Sequence, residues 1–129
     1  MAAAIGRAAS AACLVVLSFA AYALGSHQLT LVRVAGGSMS PTLTHGDVCV
    51  VRASNRIAPR DIVLVEPPGH ASRVLHRVLW VRGDSIVTKG DANPVADFEP
   101  VPCRAVVGRV AFTVPVGRLI ESLATRMGW

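Results

Sequence analysis

A serine beside two glycines is the first candidate for chemistry in this sequence. Gly36-Gly37-Ser38 directly follows an apolar run, and glycine lets a backbone approach another chain closely while leaving a neighbouring hydroxyl unobstructed. Such a hydroxyl becomes a nucleophile when a base takes its proton. The alternative interpretation is an ordinary turn, because glycine, serine and proline are common turn residues.

His76 is the candidate base for that hydroxyl. A two-residue period over residues 73–81 places His76 on the same strand face as Val74 and Val78. Half burial among apolar side chains favours the neutral imidazole, which is the form that can accept a proton from serine. The alternative is a histidine with a purely structural place in the core.

Two carboxylates follow the next apolar run, six residues apart. Asp91 and Asp97 lie in a segment with the turn residues Gly90 and Asn93. Either carboxylate could accept a hydrogen bond from the far ring nitrogen of His76 and stabilise the imidazolium that forms. For Asp91 the alternative is a local turn in which its side chain binds nearby backbone.

The elements that must position these groups are predicted from Leu29 onward. Short β-branched runs separated by Gly, Pro, Asn and Asp are typical of a compact, mainly β domain. We predict strands over residues 29–34, 47–52, 61–66, 73–81, 85–88 and 105–113. Residues 116–129 return to helical spacing and predict an amphipathic helix. Its apolar stripe either docks on the sheet, the usual outcome, or lies in a membrane interface with Trp129 as an anchor.

The N-terminal segment differs from the rest in composition. Of 129 residues 52% are hydrophobic, and no charge occurs between Arg7 and Arg33. This predicts a membrane anchor over residues 1–28, a β domain over 29–117 outside the cytoplasm, and a C-terminal helix over 118–129. A cleaved signal peptide, with Ala21-Tyr22-Ala23 at its end, is the alternative.

Charge and cysteine content exclude other classes of protein. The net charge of +5 comes from scattered arginines with few aromatic residues, so we predict contact with membrane lipid and no nucleic-acid site. Cys13, Cys49 and Cys103 lack metal-ligand spacing, so we predict no metal. Cys49 and Cys103 either form a disulfide or remain buried thiols.

Several motifs in order resemble the type I signal peptidases, peptidase family S26, over residues 32–117. The similarity is closest to the branch of the endoplasmic reticulum, archaea and some Gram-positive bacteria, in which histidine replaces a lysine base. The matching motifs are Ser38-Met39-Ser40-Pro41-Thr42-Leu43, Gly46-Asp47, Asp61-Ile62-Val63-Leu64-Val65, Leu75-His76-Arg77-Val78 and Lys89-Gly90-Asp91-Ala92-Asn93.

The resemblance implies a signal-peptidase-like small β domain with an N-terminal transmembrane helix and a C-terminal amphipathic helix. It implies a membrane-bound serine endopeptidase that removes signal peptides from exported preproteins through an acyl-enzyme, without a cofactor. By position, Ser38 matches the nucleophile, His76 the base and Asp97 the third member of the triad, while Asp91 matches a supporting acidic position. Lys89, the one lysine, lies outside the strand position of a Ser/Lys dyad.

Two departures from the family pattern affect the expected site. Gly36 stands where many relatives have a serine that helps to form the oxyanion hole, so the hole is expected to use backbone donors such as the Ser38 N–H. Arg60 replaces a glycine before Asp61-Ile62, which is expected to alter only a turn. A non-catalytic, membrane-tethered β domain that binds surface partners is the rival interpretation of the whole chain.

Overall fold

One antiparallel sheet and two α-helices make up the described part of the chain. The computed structural model describes the backbone of residues 2–26 and 28–128 and the side chains from residue 12 onward within these ranges. The elements in chain order are α1 (Ala2–Gly25), β1 (Leu29–Arg33), β2 (Val48–Arg52), β3 (Ile62–Val65), β4 (Val74–Arg82), β5 (Ser85–Lys89), β6 (Val101–Pro102), a 3₁₀ turn (Cys103–Ala105), β7 (Val106–Val114) and α2 (Val116–Met127).

The sheet joins two groups of strands through β7. The strand order is β1-β2-β7-β3-β4-β5-β6, and each neighbouring pair is antiparallel. Irregular pairing interrupts the register of β2 with β7, β3 with β7 and β4 with β5. Bulges of this kind bend the strand and increase its twist, which curves the sheet.

The central strand β3 is buried on both faces. Val63, Leu64 and Val65 are all at most 2% exposed, and alternate residues of a strand point to opposite faces. Leu64 therefore belongs to one core cluster, while Val63 and Val65 belong to the other. The first cluster contains Val34, Met39, Leu43, Cys49, Val51, Leu64 and Leu75, and the second contains Val63, Val65, Val78, Ile86 and Val101.

The prediction of a mainly β fold is confirmed. All six predicted strands form, and each of their ends differs from the prediction by at most one residue. One further strand, β6, has two residues, pairs with β5 and was not predicted. A two-residue strand that contains a proline has no alternation to detect, so tertiary pairing alone defines it.

The N-terminal region forms α1 over most of the segment predicted as a membrane anchor. Its end is fixed to the sheet, because Ala23 is buried and its carbonyl accepts a hydrogen bond from the Gln28 N–H. Within the part of the chain that the structure describes, no helix combines the length and apolarity needed to cross a membrane.

The predicted amphipathic helix is present as α2, but its expected docking on the sheet is wrong. Leu119, Ile120, Leu123 and Met127 are 49–72% exposed. The helix is held at its first turn, where Gly117 packs so closely on the carbonyl oxygen of His45 that a side chain would collide with it. The remaining turns leave the apolar stripe uncovered, and Trp129, the predicted interfacial anchor, lies outside the described residues.

Asp47 connects α2 to the turn before β2. This carboxylate is fully buried and accepts hydrogen bonds from the N–H and hydroxyl of Thr44 and from the N–H of Gly117, each at 3.0 Å. Burial on its own would raise the pKa of Asp47, but the hydrogen bonds from Thr44 and Gly117 lower it below its usual value. A charged Asp47 therefore fixes the start of α2 to the segment that follows Ser38.

Cys49 and Cys103 are free thiols in the structure, which does not contain the disulfide considered from the sequence. Cys49 is buried, with its sulfur 3.6 Å from the Thr113 hydroxyl. Burial raises the pKa of the Cys49 thiol, which keeps it protonated and unreactive in the core.

Candidate active site

The loop between β1 and β2 presents Ser38 at the surface. The residues after Ser38 enter the core, where Met39 and Leu43 are each 2% exposed. Burial of a side chain of this size stabilises the fold by about 1.5–3 kcal/mol, so the loop is anchored although Ser38 is exposed. The Ser38 carbonyl accepts a hydrogen bond from the Ala92 N–H at 2.8 Å. The backbone of Ser38 is therefore fixed while its side chain faces solvent.

Gly90 is needed for this contact between two loops. A Cβ atom at residue 90 would lie 2.6 Å from the Ser38 carbonyl oxygen and 2.7 Å from the Asn93 amide nitrogen. Both distances are well below van der Waals contact. The segment after β5 can approach the Ser38 loop closely only because residue 90 has no side chain.

His76 contacts Asp97 directly. The His76 Nδ1 and Asp97 Oδ2 atoms are 2.6 Å apart, and the two side chains are 12% and 27% exposed. An ionised carboxylate can only accept hydrogen bonds, so Nδ1 is the donor and Nε2 of the neutral ring is the free acceptor. Asp97 thus selects the histidine tautomer whose outward nitrogen can take a proton.

Thr88 holds Asp97 in place. The buried Thr88 hydroxyl donates to Asp97 Oδ2 at 2.6 Å, and the Asp97 N–H donates to the Thr88 carbonyl at 2.8 Å. Thr88 is not among the site residues predicted from the sequence. The available signal was a polar residue directly after the apolar pair Ile86-Val87.

Asp91 binds elsewhere and does not contact His76. It accepts two hydrogen bonds from the Arg77 guanidinium, at 2.8 and 2.7 Å, and one from the Thr42 hydroxyl at 2.6 Å. The hydrogen bonds from Arg77 hold the pKa of Asp91 below its usual value, and burial only partly opposes them. Asp91 therefore links the Ser38 loop to the strand that carries His76, rather than forming only the local turn considered from the sequence.

Lys89 lies on the other face of the sheet from His76. It ends β5 and pairs with Arg77 in the register of β4 and β5. Paired residues share a face and adjacent residues point to opposite faces, so Lys89 shares the face of Arg77. Lys89 is therefore separated from the His76–Asp97 contact.

Ser38 and His76 are brought to one region by the segment after β5, which we call the 90–97 loop. Its Ala92 N–H binds the Ser38 carbonyl, and its Asp97 carboxylate binds the His76 ring. Among the hydrogen bonds of the described residues, none joins the Ser38 hydroxyl to His76. Such contacts are often longer without substrate and tighten when it binds.

The backbone at the serine offers its own N–H as a donor. Gly36 has a φ of +92°, and its N–H donates to His45 Nδ1 at 3.2 Å. The Ser38 N–H forms no hydrogen bond within the described residues. It is therefore available to an incoming oxyanion, whereas the Gly36 N–H is already engaged.

A pocket of about 280 Å³ lies beside Ser38. Its lining includes Ser38, Met39, Val32, Val34, Leu64 and Leu75. Residues from β1 and β4 meet across it although three strands separate them in the sheet, so the sheet is strongly curved. This curvature brings two distant strands within reach of one bound chain.

The first residues of β4 leave a strand edge open at this pocket. Residues 74–76 pair with β3, whereas the register with β5 begins only at Arg77. An extended peptide can add to such an edge through its main chain.

Within the described residues, no cluster of His, Cys, Asp or Glu side chains could hold a metal ion.

A serine, a histidine and an aspartate beside an open strand edge are the groups that acyl transfer to a serine hydroxyl requires. The family model described as signal peptidase, peptidase S26, matches residues 6–97, most of the chain, and this range includes Ser38, His76, Asp91 and Asp97. The chain belongs to this signal peptidase family. The narrower branch with a histidine base stays a prediction, and no curated protein matches the sequence.

Proposed function

We propose that this chain is a serine endopeptidase that removes signal peptides from exported preproteins. The observation that carries the proposal is the 2.6 Å contact between His76 and Asp97. Asp97 belongs to the same 90–97 loop whose Ala92 N–H binds the Ser38 backbone. Membership of the signal peptidase family supports the class of reaction and of substrate. The individual roles below follow from the chemistry of the side chains.

His76 and Ser38 carry out the two halves of the reaction. His76 Nε2 takes the Ser38 hydroxyl proton as the oxygen attacks the scissile carbonyl, and the Ser38 N–H stabilises the oxyanion. His76 then gives the proton to the leaving amine, so the C–N bond breaks and an ester to Ser38 remains. A water molecule, deprotonated by His76, hydrolyses this ester and releases the cleaved signal peptide.

Asp97 acts through His76 in this mechanism. Its carboxylate holds Nδ1 as the donor and stabilises the imidazolium present after each proton transfer. Thr88 keeps the carboxylate in that position. Asp91, with Arg77 and Thr42, holds the Ser38 loop against β4 and is a positioning residue.

The residues that precede the scissile bond bind in the pocket beside Ser38. An extended segment adds to the open edge of β4, and its side chains enter a space bordered by Leu64, Leu75 and Met39. A volume of about 280 Å³ shared among several residues favours small side chains next to the cleaved bond.

We also place the β domain outside the cytoplasm, with the N-terminal segment at the membrane. The support is the sequence, in which an uncharged segment follows Arg7 and continues to Val32. Protection of the β domain from external protease in intact cells would contradict this orientation.

The decisive experiment is cleavage of a preprotein by the purified full-length chain in detergent. Ser38→Ala and His76→Ala should each abolish cleavage, because either change removes a group that the acyl-enzyme requires. Ser40→Ala, in the same loop, is the matched control and should cut as wild type does. Mass spectrometry of the products should place the cut after a small residue.

Two results would contradict the proposal. Mutants at Ser38 and His76 that cut as well as wild type would remove the assigned mechanism. Failure of wild type to cut any preprotein, presented in detergent or in vesicles, would favour the rival membrane-tethered β domain that binds surface partners.

A further inference from the structure

A second and larger pocket lies on the other side of His76. Its volume is about 470 Å³, and its lining includes His76, Asp97, Phe98, Pro100, Val65 and Val74. The segment 67–72, between β3 and β4, borders it as well. The mechanism above uses His76 and Asp97 but leaves the rest of this space without a role.

The two pockets meet at the open edge of β4. Leu75 lines the first pocket and His76 lines the second, because adjacent residues of a strand point to opposite faces. Val74 lines both. A chain that fills the first pocket and crosses the edge near Ser38 and His76 therefore enters the second.

We infer that the second pocket binds the first residues after the scissile bond and selects apolar side chains over acidic ones there. The inference rests on the proposed function and adds a specificity site to it. His76 must reach the leaving amine to protonate it, so the chain attached to that amine passes directly over the His76 ring. The pocket that contains His76 is the space into which this chain continues.

Phe98 supplies the apolar contact. It directly follows Asp97, and its side chain is completely exposed, whereas large aromatic side chains normally bury most of their surface. Exposed aromatic residues at the rim of a pocket are typical of binding sites. A leucine or phenylalanine of the substrate can cover Phe98 and Pro100 together, which removes apolar surface from water on both sides.

Charge around the same pocket disfavours acidic residues. The carboxylates of Asp97 and Glu99 both line it, and Glu99 is exposed. His70 also lines the pocket, with its Nδ1 atom 3.3 Å from the Pro68 carbonyl oxygen. A glutamate in the substrate would approach two like charges, whereas a lysine would approach two opposite charges.

The experiment measures kcat/KM of the full-length chain in detergent on peptides that are identical up to the scissile bond. One of the first three positions after that bond carries Leu, Gly, Glu or Lys. We expect Leu to exceed Gly by roughly tenfold at one position, as a single well-placed apolar contact does. Phe98→Ala should reduce this ratio to about one. Phe112→Ala removes another solvent-facing aromatic, 59% exposed, that lines neither pocket, and should leave the ratio unchanged.

A charge reversal provides an independent variant. Glu99→Lys should shift the preference from Lys towards Glu at the same position by several-fold, and this exposed position is not needed for folding. Cleavage by wild type with no dependence on these positions, or with ratios unaltered by Phe98→Ala and Glu99→Lys, would overturn the specificity site and leave the proposed function intact. Absence of any cleavage would instead overturn the proposed function, and the specificity site with it.

Discussion

The two ends of the 90–97 loop carry the same side chain and form opposite kinds of contact. Asp91 binds the Arg77 guanidinium and the Thr42 hydroxyl, whereas Asp97 binds the His76 ring and the Thr88 hydroxyl. Arginine stays protonated at all accessible pH values, so the Asp91 contact is a permanent ion pair. A histidine ring can accept a proton and release it again, so the Asp97 contact can change charge during a reaction. The partner, and not the carboxylate, decides which end is structural and which is suited to catalysis.

The largest effect that separates the two ends is expected for Asp97→Asn. The amide keeps the shape of the side chain but no longer stabilises the imidazolium, and it can favour the wrong tautomer of His76. We expect kcat on a preprotein peptide to fall by roughly 10²–10⁴-fold, with the free energy of unfolding changed by less than about 1 kcal/mol. Steady-state kinetics and urea unfolding on the same preparation measure both quantities.

A loss of stability without a loss of rate in Asp97→Asn would show that this carboxylate is structural as well. The contrast between the two ends of the loop would then be absent.

The next effect in size is expected for Asp91→Asn, and it should fall mainly on stability. The change leaves the Arg77 charge without its bidentate partner, so the free energy of unfolding at neutral pH should decrease by about 2 kcal/mol. Because the folded state lowers the pKa of Asp91 below 3.8, its stabilisation is present above that pH. It is lost as the pH falls through the lower folded value. The difference between wild type and Asp91→Asn in urea unfolding should therefore shrink towards pH 3.

A difference that stays constant from pH 7 to pH 3 would contradict the ion pair as its source. Arg77→Lys is a useful companion variant, since lysine keeps the charge and loses the bidentate geometry. Arg77→Lys should therefore lower the free energy of unfolding by less than Asp91→Asn does.

The smallest effect is expected at Arg60, beside the Asp91 contact. Arg60 has a φ of +78°, which is costly for any residue with a side chain, and its carbonyl accepts a hydrogen bond from Arg77 at 2.9 Å. Arg60→Gly should raise the free energy of unfolding by about 0.5–1 kcal/mol, because relief of backbone strain exceeds the added entropy of glycine in the unfolded chain. Thermal unfolding measures it, and a decrease in Tm would show that the Arg60 side chain stabilises the fold.

Arg60 also shows what a departure from a family pattern means physically. From the sequence, its replacement of glycine is expected to alter only a turn. The structure retains the left-handed backbone that a glycine would adopt there. The turn is therefore preserved at a cost in strain, because the N–H of Arg60 still binds the Val78 carbonyl and holds the segment against β4.

Local patterns predicted the strands well and the burial of α2 badly. Alternation of apolar residues depends on the neighbours of each residue along the chain, so six strand positions followed from the sequence. The exposure of the α2 stripe depends on whether another surface reaches it. Whether one does is determined by the direction of α2, which Gly117 and Asp47 fix at its first turn.

The sequence by itself determined the residue types of the candidate site and their order along the chain, because the motifs around Ser38, His76 and Asp91 are local. It left open which carboxylate faces the histidine, since Asp91 and Asp97 have equivalent chemistry and nearly equivalent positions. Only the tertiary structure decided this, by placing Thr88 and His76 at one end of the 90–97 loop and Arg77 and Thr42 at the other. Contacts between residues distant in sequence depend on how the sheet curves, and the chain specifies that curvature only when all its strands pair.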